Sequence, residues 1–161
     1  MYLHTTLTGT LRLYPSVPND HKGVLQKDIL PDGTCIEPGM KFLYTIYALG
    51  RMERVWGPDC LEFKPERWFD TSSEGHLVLK NESMYKFLAF NAGPRTCLGK
   101  DMAYLQMKAA AAGILRRFHV RVVEKQVVTP KFSLILAMKN GLLVTLQQRL
   151  SFGHDRELVD P

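Results

Sequence analysis

The chain has 161 residues, 45% hydrophobic and 23% charged, the balance of a folded globular chain rather than a disordered one. Its formal net charge of +5 suits an acidic protein partner or an anionic surface, but the basic residues neither run together nor alternate with aromatics, so nucleic acid is not an expected partner. No apolar run is long enough for a transmembrane helix, and Met1–His4 has no signal-peptide character. Three cysteines, Cys35, Cys60 and Cys97, without a C-x-x-C spacing, argue against a disulfide framework or a zinc site and for a reducing compartment.

In chain order, Tyr2 to Leu13 predicts a helix with Leu3, Leu7 and Leu11 on one face. Tyr14-Pro15 ends it, because the residue before a proline disfavours helical geometry. Ile29 to Leu49 reads as two strands, with turns at Leu30-Pro31-Asp32-Gly33 and Glu37-Pro38-Gly39. Arg51 to Asn91 reads as irregular, and so long an irregular segment is functional or packed on something large. Leu98 to Phe118 predicts the strongest helix, with Met102, Leu105, Ala109, Ala112 and Leu115 along one side. Strands are expected at Val120–Glu124, Phe132–Met138 and Leu142–Gln147, the last two joined by a hairpin at Asn140-Gly141. The polar tail 151–161 reads as loose. The fold class is therefore α+β, helix-dominated, with small antiparallel sheets.

The chemistry centres on Phe90-Asn91-Ala92-Gly93-Pro94-Arg95-Thr96-Cys97-Leu98-Gly99. A cysteine at the start of a long helix faces the positive end of the dipole and unpaired backbone N–H groups, which favour negative charge on sulfur. Gly93 permits a tight loop, and Gly99 permits close approach to a flat cofactor. Arg95 offers a forked cation suited to a carboxylate, and Phe90 would shield the sulfur from water. Two other readings stay open on these residues: a buried structural thiol, or a redox thiol without a cofactor.

The ten residues resemble the haem-binding signature Phe-x-x-Gly-x-Arg-x-Cys-x-Gly of the cytochromes P450, and every defined position agrees. Pro65-Glu66-Arg67-Trp68 resembles the family's Pro-Glu-Arg-Phe element. The helix running into Leu11-Arg12-Leu13-Tyr14-Pro15 resembles its K helix. Tyr47 to Met52 and Gly99 to Lys108 are similar to the plant fatty-acid omega-hydroxylase branch.

The resemblance implies the C-terminal third of a haem–thiolate monooxygenase. Residues 1–150 would form part of a haem domain and 151–161 a tail. The cofactor would be haem b, with the Cys97 thiolate on iron and Phe90, Gly93, Arg95 and Gly99 around it. His21 or Lys22 would meet a propionate or form a solvated loop. Val17, Pro18, Leu134, Ile135 and Leu136 would line the substrate pocket or simply pack the core. The implied activity is hydroxylation of a long-chain fatty acid with electrons from NADPH-cytochrome P450 reductase, which Lys100, Lys108, Arg116 and Arg117 would dock. The family's full-length members belong to the endoplasmic reticulum membrane. This chain, without their anchor or distal-wall helix, would be cytosolic or peripheral.

One departure stands out. The family has Glu-x-x-Arg where this chain has Gly9-Thr10-Leu11-Arg12. The charge network expected of Arg12, Glu66 and Arg67 therefore lacks its shared acid. The alternative to an enzyme is a truncated, non-catalytic remnant that binds haem weakly or not at all.

Overall fold

A computed structural model describes residues 1–149. The tail 151–161 lies outside them. Helix α1, Tyr2–Leu13, forms as its spacing predicts, but its buried residues are Thr5, Thr8, Gly9, Leu11, Arg12 and Leu13. Leu3 and Leu7 are only half-buried. A polar face can turn inward because its hydroxyls are satisfied locally. Thr5 Oγ1 donates to the Tyr2 carbonyl at 2.7 Å, and Thr8 Oγ1 to the His4 carbonyl at 2.8 Å.

Strands β1 (Asn19–Gly23), β2 (Asp28–Ile29), β3 (Cys35–Ile36) and β4 (Lys41–Thr45) nest one hairpin inside another. β2 pairs with β3 inside, and β1 with β4 outside, Asp20 opposite Tyr44. The strand expected to run to Leu49 stops at Thr45, and Ile46–Leu49 is a helical turn, α2. Close packing on α1 explains the change. A Cβ on Gly50 would lie 2.1 Å from the Arg12 carbonyl oxygen, so only glycine lets these two backbones meet.

The stretch read as irregular holds the apolar core. Helix α3, Glu53–Trp56, and a 3-10 turn, Pro65–Trp68, bring Trp56, Cys60 and Trp68 together with Val55 and Phe87 against them. The two indole rings are 5.6 Å apart, a spacing typical of stabilising aromatic pairs. β5 (Phe69–Thr71) and β6 (Leu77–Leu79) form a small hairpin after it.

Helix α4 runs Lys100–Arg117. Its inward residue is Tyr104, flanked by half-buried Ala103, Met107, Lys108 and Ala111. The expected apolar side is the outer one: Met102 is 64% exposed and Leu105 68%. Tyr104 decides the rotation, since its ring lies 4.4 Å from His4 and 5.3 Å from Phe90. Thr8, whose proton goes to His4, accepts the Tyr104 hydroxyl at 2.9 Å and ties α4 to α1.

β7 (Phe118–Val122), β8 (Pro130–Lys131), β9 (Ala137–Met138) and β10 (Val144–Gln148) pair as β7 with β10 and β8 with β9. The hairpin expected at Asn140-Gly141 is thus a turn whose following strand joins β7 instead. Gln126 redirects the chain: its amide donates to the Val123 and Leu143 carbonyls and accepts from the Leu143 N–H, at 2.7 to 2.8 Å. Phe132–Met138 is not one strand either, because Ser133 Oγ donates to the Ile135 carbonyl and bends it. Among the described residues no helix is long and apolar enough to cross a membrane.

Candidate functional site

The loop before α4 is built from two 3-10 turns, Leu88–Phe90 and Gly93–Arg95. Gly93 adopts φ +65°, a region that favours glycine. Thr96 caps the second turn, its N–H and hydroxyl donating to the Gly93 carbonyl at 3.1 and 2.8 Å. The Cys97 N–H donates to the Phe90 carbonyl at 2.8 Å and closes the loop. Cys97 is a free, exposed thiol, whereas Cys60 is buried, so the buried structural reading belongs to Cys60. A Cβ on Gly99 would stand 3.9 Å from the Cys97 sulfur; glycine keeps that flank open.

A cavity of about 430 Å³ opens beside this loop. Phe90, Arg95 and Cys97 line it together with Leu11, Val17, Ile46, Ala103 and Met107. The expected substrate residues divide. Val17 lines the cavity; Pro18, Leu134, Ile135 and Leu136 are not among its described lining residues. Pro18 is fully buried, and Leu134 is 84% exposed. The Leu136 N–H nevertheless donates to the Ser16 carbonyl at 2.8 Å, which fixes that segment beside Val17. Of the basic candidates on α4, Lys100 and Lys108 are half-buried and Arg116 and Arg117 exposed.

Asp20, at the end of the stretch from Val17 that the resemblance puts at the pocket, organises the wall of this cavity. Its carboxylate accepts from Tyr44 Oη at 2.6 Å, Asn91 Nδ2 at 2.8 Å, Lys22 Nζ at 2.8 Å and the His21 N–H at 2.7 Å. Asn91 sits at φ 63° in the cysteine loop, so Asp20 joins that loop to β1 and β4. His21 and Lys22 lie on β1 rather than in a loop, and Lys22 is ion-paired with Asp20. The only clue was the run Asn19-Asp20-His21-Lys22, whose partners are distant in sequence.

Burial pushes the Asp20 carboxyl up, but bonds from Lys22, Tyr44, the His21 backbone and Asn91 outweigh it and hold it well below the usual carboxylate range. The lowered value means that its stabilisation is full above the unfolded value near 4 and is lost as pH falls toward the folded one. Asp20→Asn is therefore expected to cost about 1.5–3 kcal/mol at neutral pH. Urea denaturation should show that gap shrinking as the buffer is acidified below about pH 4. A gap that persisted in acid would show that the charge is not its cause.

Behind the loop lies a buried guanidinium. Arg12 is 2% exposed. It donates to the Gly50 carbonyl at 2.7 Å, the Glu62 carbonyl at 2.7 Å and the Cys60 carbonyl, and sits 5.2 Å from the Trp56 ring. Arg67 donates to the Trp56 and Asp59 carbonyls and pairs with the Asp59 carboxylate at 2.7 Å. Glu66 does not join them, correcting the expected network. It accepts from the Tyr2 hydroxyl at 3.0 Å in an exposed bond, because in the 3-10 turn it points away from its neighbour Arg67. Asp59 takes its place; bonds from Lys64 and Arg67 push its carboxyl down to about 2.

A family model for cytochrome P450 matches residues 1–146. The chain belongs to the cytochrome P450 family. It is 55% identical to cytochrome P450 86B1 of Arabidopsis thaliana over 92% of its own length and 26% of the relative's. It is 48% identical to alkane hydroxylase MAH1 of the same plant, over 93% of the chain and 29% of the relative. These relatives accord with the plant branch that the motifs resemble. A crystal structure of the cytochrome P450 CYP102L1 superimposes with a TM-score of 0.74 at 26% identity, covering 92% of this chain and 32% of that one. The chain thus spans about a quarter to a third of the proteins it matches.

Family and fold imply haem iron with a cysteine thiolate as axial ligand. The donor set beside the loop fits such a group: one exposed thiol, one arginine and a mostly apolar wall around them. An apolar cavity with a few convergent polar groups is the usual form of a cofactor site.

Proposed function

We propose that this chain is the haem-binding segment of a haem–thiolate monooxygenase whose proximal ligand is Cys97. The observation that carries this reading is the shared cavity of Cys97, Arg95 and Phe90, with the cysteine's sulfur exposed and its backbone tied to Phe90. Haem bound there supplies oxygen activation, and a thiolate ligand favours O–O cleavage. The chain's own residues do the holding. Cys97 would hold the iron, Arg95 would take a propionate, Phe90 would shield the sulfur once haem is bound, and Gly93 and Gly99 would let the loop and helix approach the macrocycle.

An apolar long chain, a fatty acid, is the substrate we assign. A relative named as an alkane hydroxylase and the apolar wall near Val17 support it. Pro18 would fix Val17 in place, with Leu134, Ile135 and Leu136 on the segment beside it. NADPH-cytochrome P450 reductase is the electron donor we assign, docking through Lys100, Lys108, Arg116 and Arg117, since charge complementarity speeds such encounters. Full activity and an endoplasmic reticulum location belong to a protein with the length of the relatives. Residues 1–150 are then one portion of a haem domain.

A second reading, a non-catalytic remnant that holds haem weakly, is favoured by Gly9 and by the buried Arg12 Nε, Arg67 Nε and Trp68 Nε1, which have no hydrogen-bond acceptor among the described residues. The absorption spectrum of the reduced, carbon-monoxide-treated chain separates the two. A band at the thiolate-ligated position, abolished by Cys97→Ala, is the expected result. No haem, or a spectrum unchanged by Cys97→Ala, would leave the remnant.

A further inference from the structure

Outside glycine, only Asn91 and Lys125 among the described residues have a positive φ. Asn91, at φ 63° and ψ −178°, occupies a region open almost only to glycine. Such a conformation persists where its surroundings over-determine it. It lies in the loop that presents the Cys97 sulfur.

What this conformation achieves is visible in one peptide plane. The Phe90 carbonyl and the Asn91 N–H belong to the same planar unit. The N–H donates to the Leu88 carbonyl at 2.9 Å, and the carbonyl accepts the Cys97 N–H at 2.8 Å. The φ of Asn91 sets the rotation of that plane against the rest of the loop. At an ordinary negative φ the plane would turn over relative to residues 92–97, and the Phe90 carbonyl would face away from the Cys97 N–H.

The strongest bond holding Asn91 there comes from a distant part of the chain. Within the loop, its Oδ1 accepts from the Ala92 N–H at 3.2 Å. Across the cavity, its Nδ2 donates to Asp20 Oδ2 at 2.8 Å, and the charge on that acceptor makes the bond a strong one. Asp20 is itself fixed. It lies on β1 opposite Tyr44 on β4, and the Tyr44 hydroxyl donates to the same oxygen at 2.6 Å. Lys22 Nζ and the His21 N–H complete its set of donors. A carboxylate so held has one position, and it passes that position to Asn91. Both residues border the cavity that Arg95 and Cys97 line.

We propose that Asp20 is a positioning residue for Cys97: through Asn91 it holds the peptide plane from which the cysteine's backbone hangs. The inference rests on the haem-ligand reading of Cys97 for its chemical meaning, and on the loop's own hydrogen bonds for its geometry.

Amide hydrogen exchange of the full chain without haem, resolved by NMR, reads the Cys97 N–H directly. The reference is the Tyr14 N–H, bonded to the Thr10 carbonyl at the end of α1. Asp20→Ala should cut the protection of Cys97 relative to Tyr14 about ten- to a hundredfold, the equilibrium scale of one bond to a charged acceptor. Glycine takes the φ of Asn91 freely. Asn91→Gly should therefore make the loop indifferent to Asp20, so that adding Asp20→Ala to it changes the ratio less than about twofold. With haem added, the reduced, carbon-monoxide-treated Asp20→Ala chain should lose part of the thiolate-ligated band, and Asn91→Gly should restore it. An unchanged ratio in Asp20→Ala would overturn the proposal. So would a loss of the same size in the Asn91→Gly background, since Asp20 would then act through general stability. Should Asp20→Ala not fold, Tyr44→Phe, which takes a donor from Asp20, should lower the ratio in the parent and not in Asn91→Gly; an unchanged ratio there overturns the proposal equally. A parent chain that takes up no haem would remove the ligand reading and leave the exchange ratios to decide this one.

Discussion

Replacing Arg12 with leucine is expected to cost about 3–5 kcal/mol, the scale of breaking a buried charged network. Three carbonyl groups, those of Gly50, Cys60 and Glu62, depend on this one side chain, and each buried acceptor left unpaired costs about 1–3 kcal/mol before relaxation. The indole of Trp56 would also lose the guanidinium packed against it. Against a typical total of ~5–15 kcal/mol, such a loss leaves the chain largely unfolded at moderate temperature. Lysine should rescue little, since one ammonium on a flexible stem cannot reproduce the planar fork that reaches three carbonyls. Chemical denaturation measures the difference. A loss below about 1 kcal/mol would mean that the loop at residues 50–62 finds other donors.

Gly9→Glu should move stability the other way. A glycine inside a helix costs about 1 kcal/mol relative to a good helix former. Giving buried donors an ionised acceptor returns roughly 1–3 kcal/mol. Displacing the half-exposed Phe63 ring takes part of this back. The net expectation is a gain of about 2 kcal/mol, or roughly 4–8 °C in Tm for a chain of this size. Haem retention, read as the ratio of Soret to protein absorbance after desalting, should rise with it. In the double variant with Arg12→Leu only the helix-propensity part, about 1 kcal/mol, should remain, because the pairing part depends on the guanidinium. An unchanged Tm and unchanged retention would show that the missing carboxylate at Gly9 costs the chain nothing.

The two residues also show what the sequence could and could not disclose. Local motifs were legible. The cysteine loop closes on itself through the Phe90 carbonyl and the Gly93 turn, so ten adjacent residues carry most of its shape. The helices at Tyr2–Leu13 and Lys100–Arg117 followed from periodicity and end signals. Their facing did not. Threonines satisfied within α1 and a single tyrosine on α4 overrode the leucine pattern, because hydrogen bonding and one large ring outweighed a stripe of aliphatics. The pairing of β7 with β10 depended on Gln126 reaching Leu143, a long-range contact that turn propensity at Asn140-Gly141 cannot encode. The bonding roles of Asp20 and Asp59 were not legible for the same reason: each matters through partners brought in by the fold. The two glycines divide likewise. Gly9 stood out as a departure from a motif, whereas Gly50 is explained only by the Arg12 carbonyl that abuts it.

The guanidinium network also carries an order of events. Every partner of Arg12 and Arg67 lies between Gly50 and Glu62, so the network is complete within the first 67 residues of the chain. Chains leave the ribosome from the N-terminal end, and local assemblies form as they emerge. The seat under α1 would thus be free to form before Cys97 emerges from the ribosome. Thr8 and Tyr104, 96 positions apart, must wait for α4, and the Asp20–Asn91 bond forms before them. The cysteine loop is laid down on a base already folded, which makes errors in that base, at Arg12 or Gly9, errors that the loop inherits.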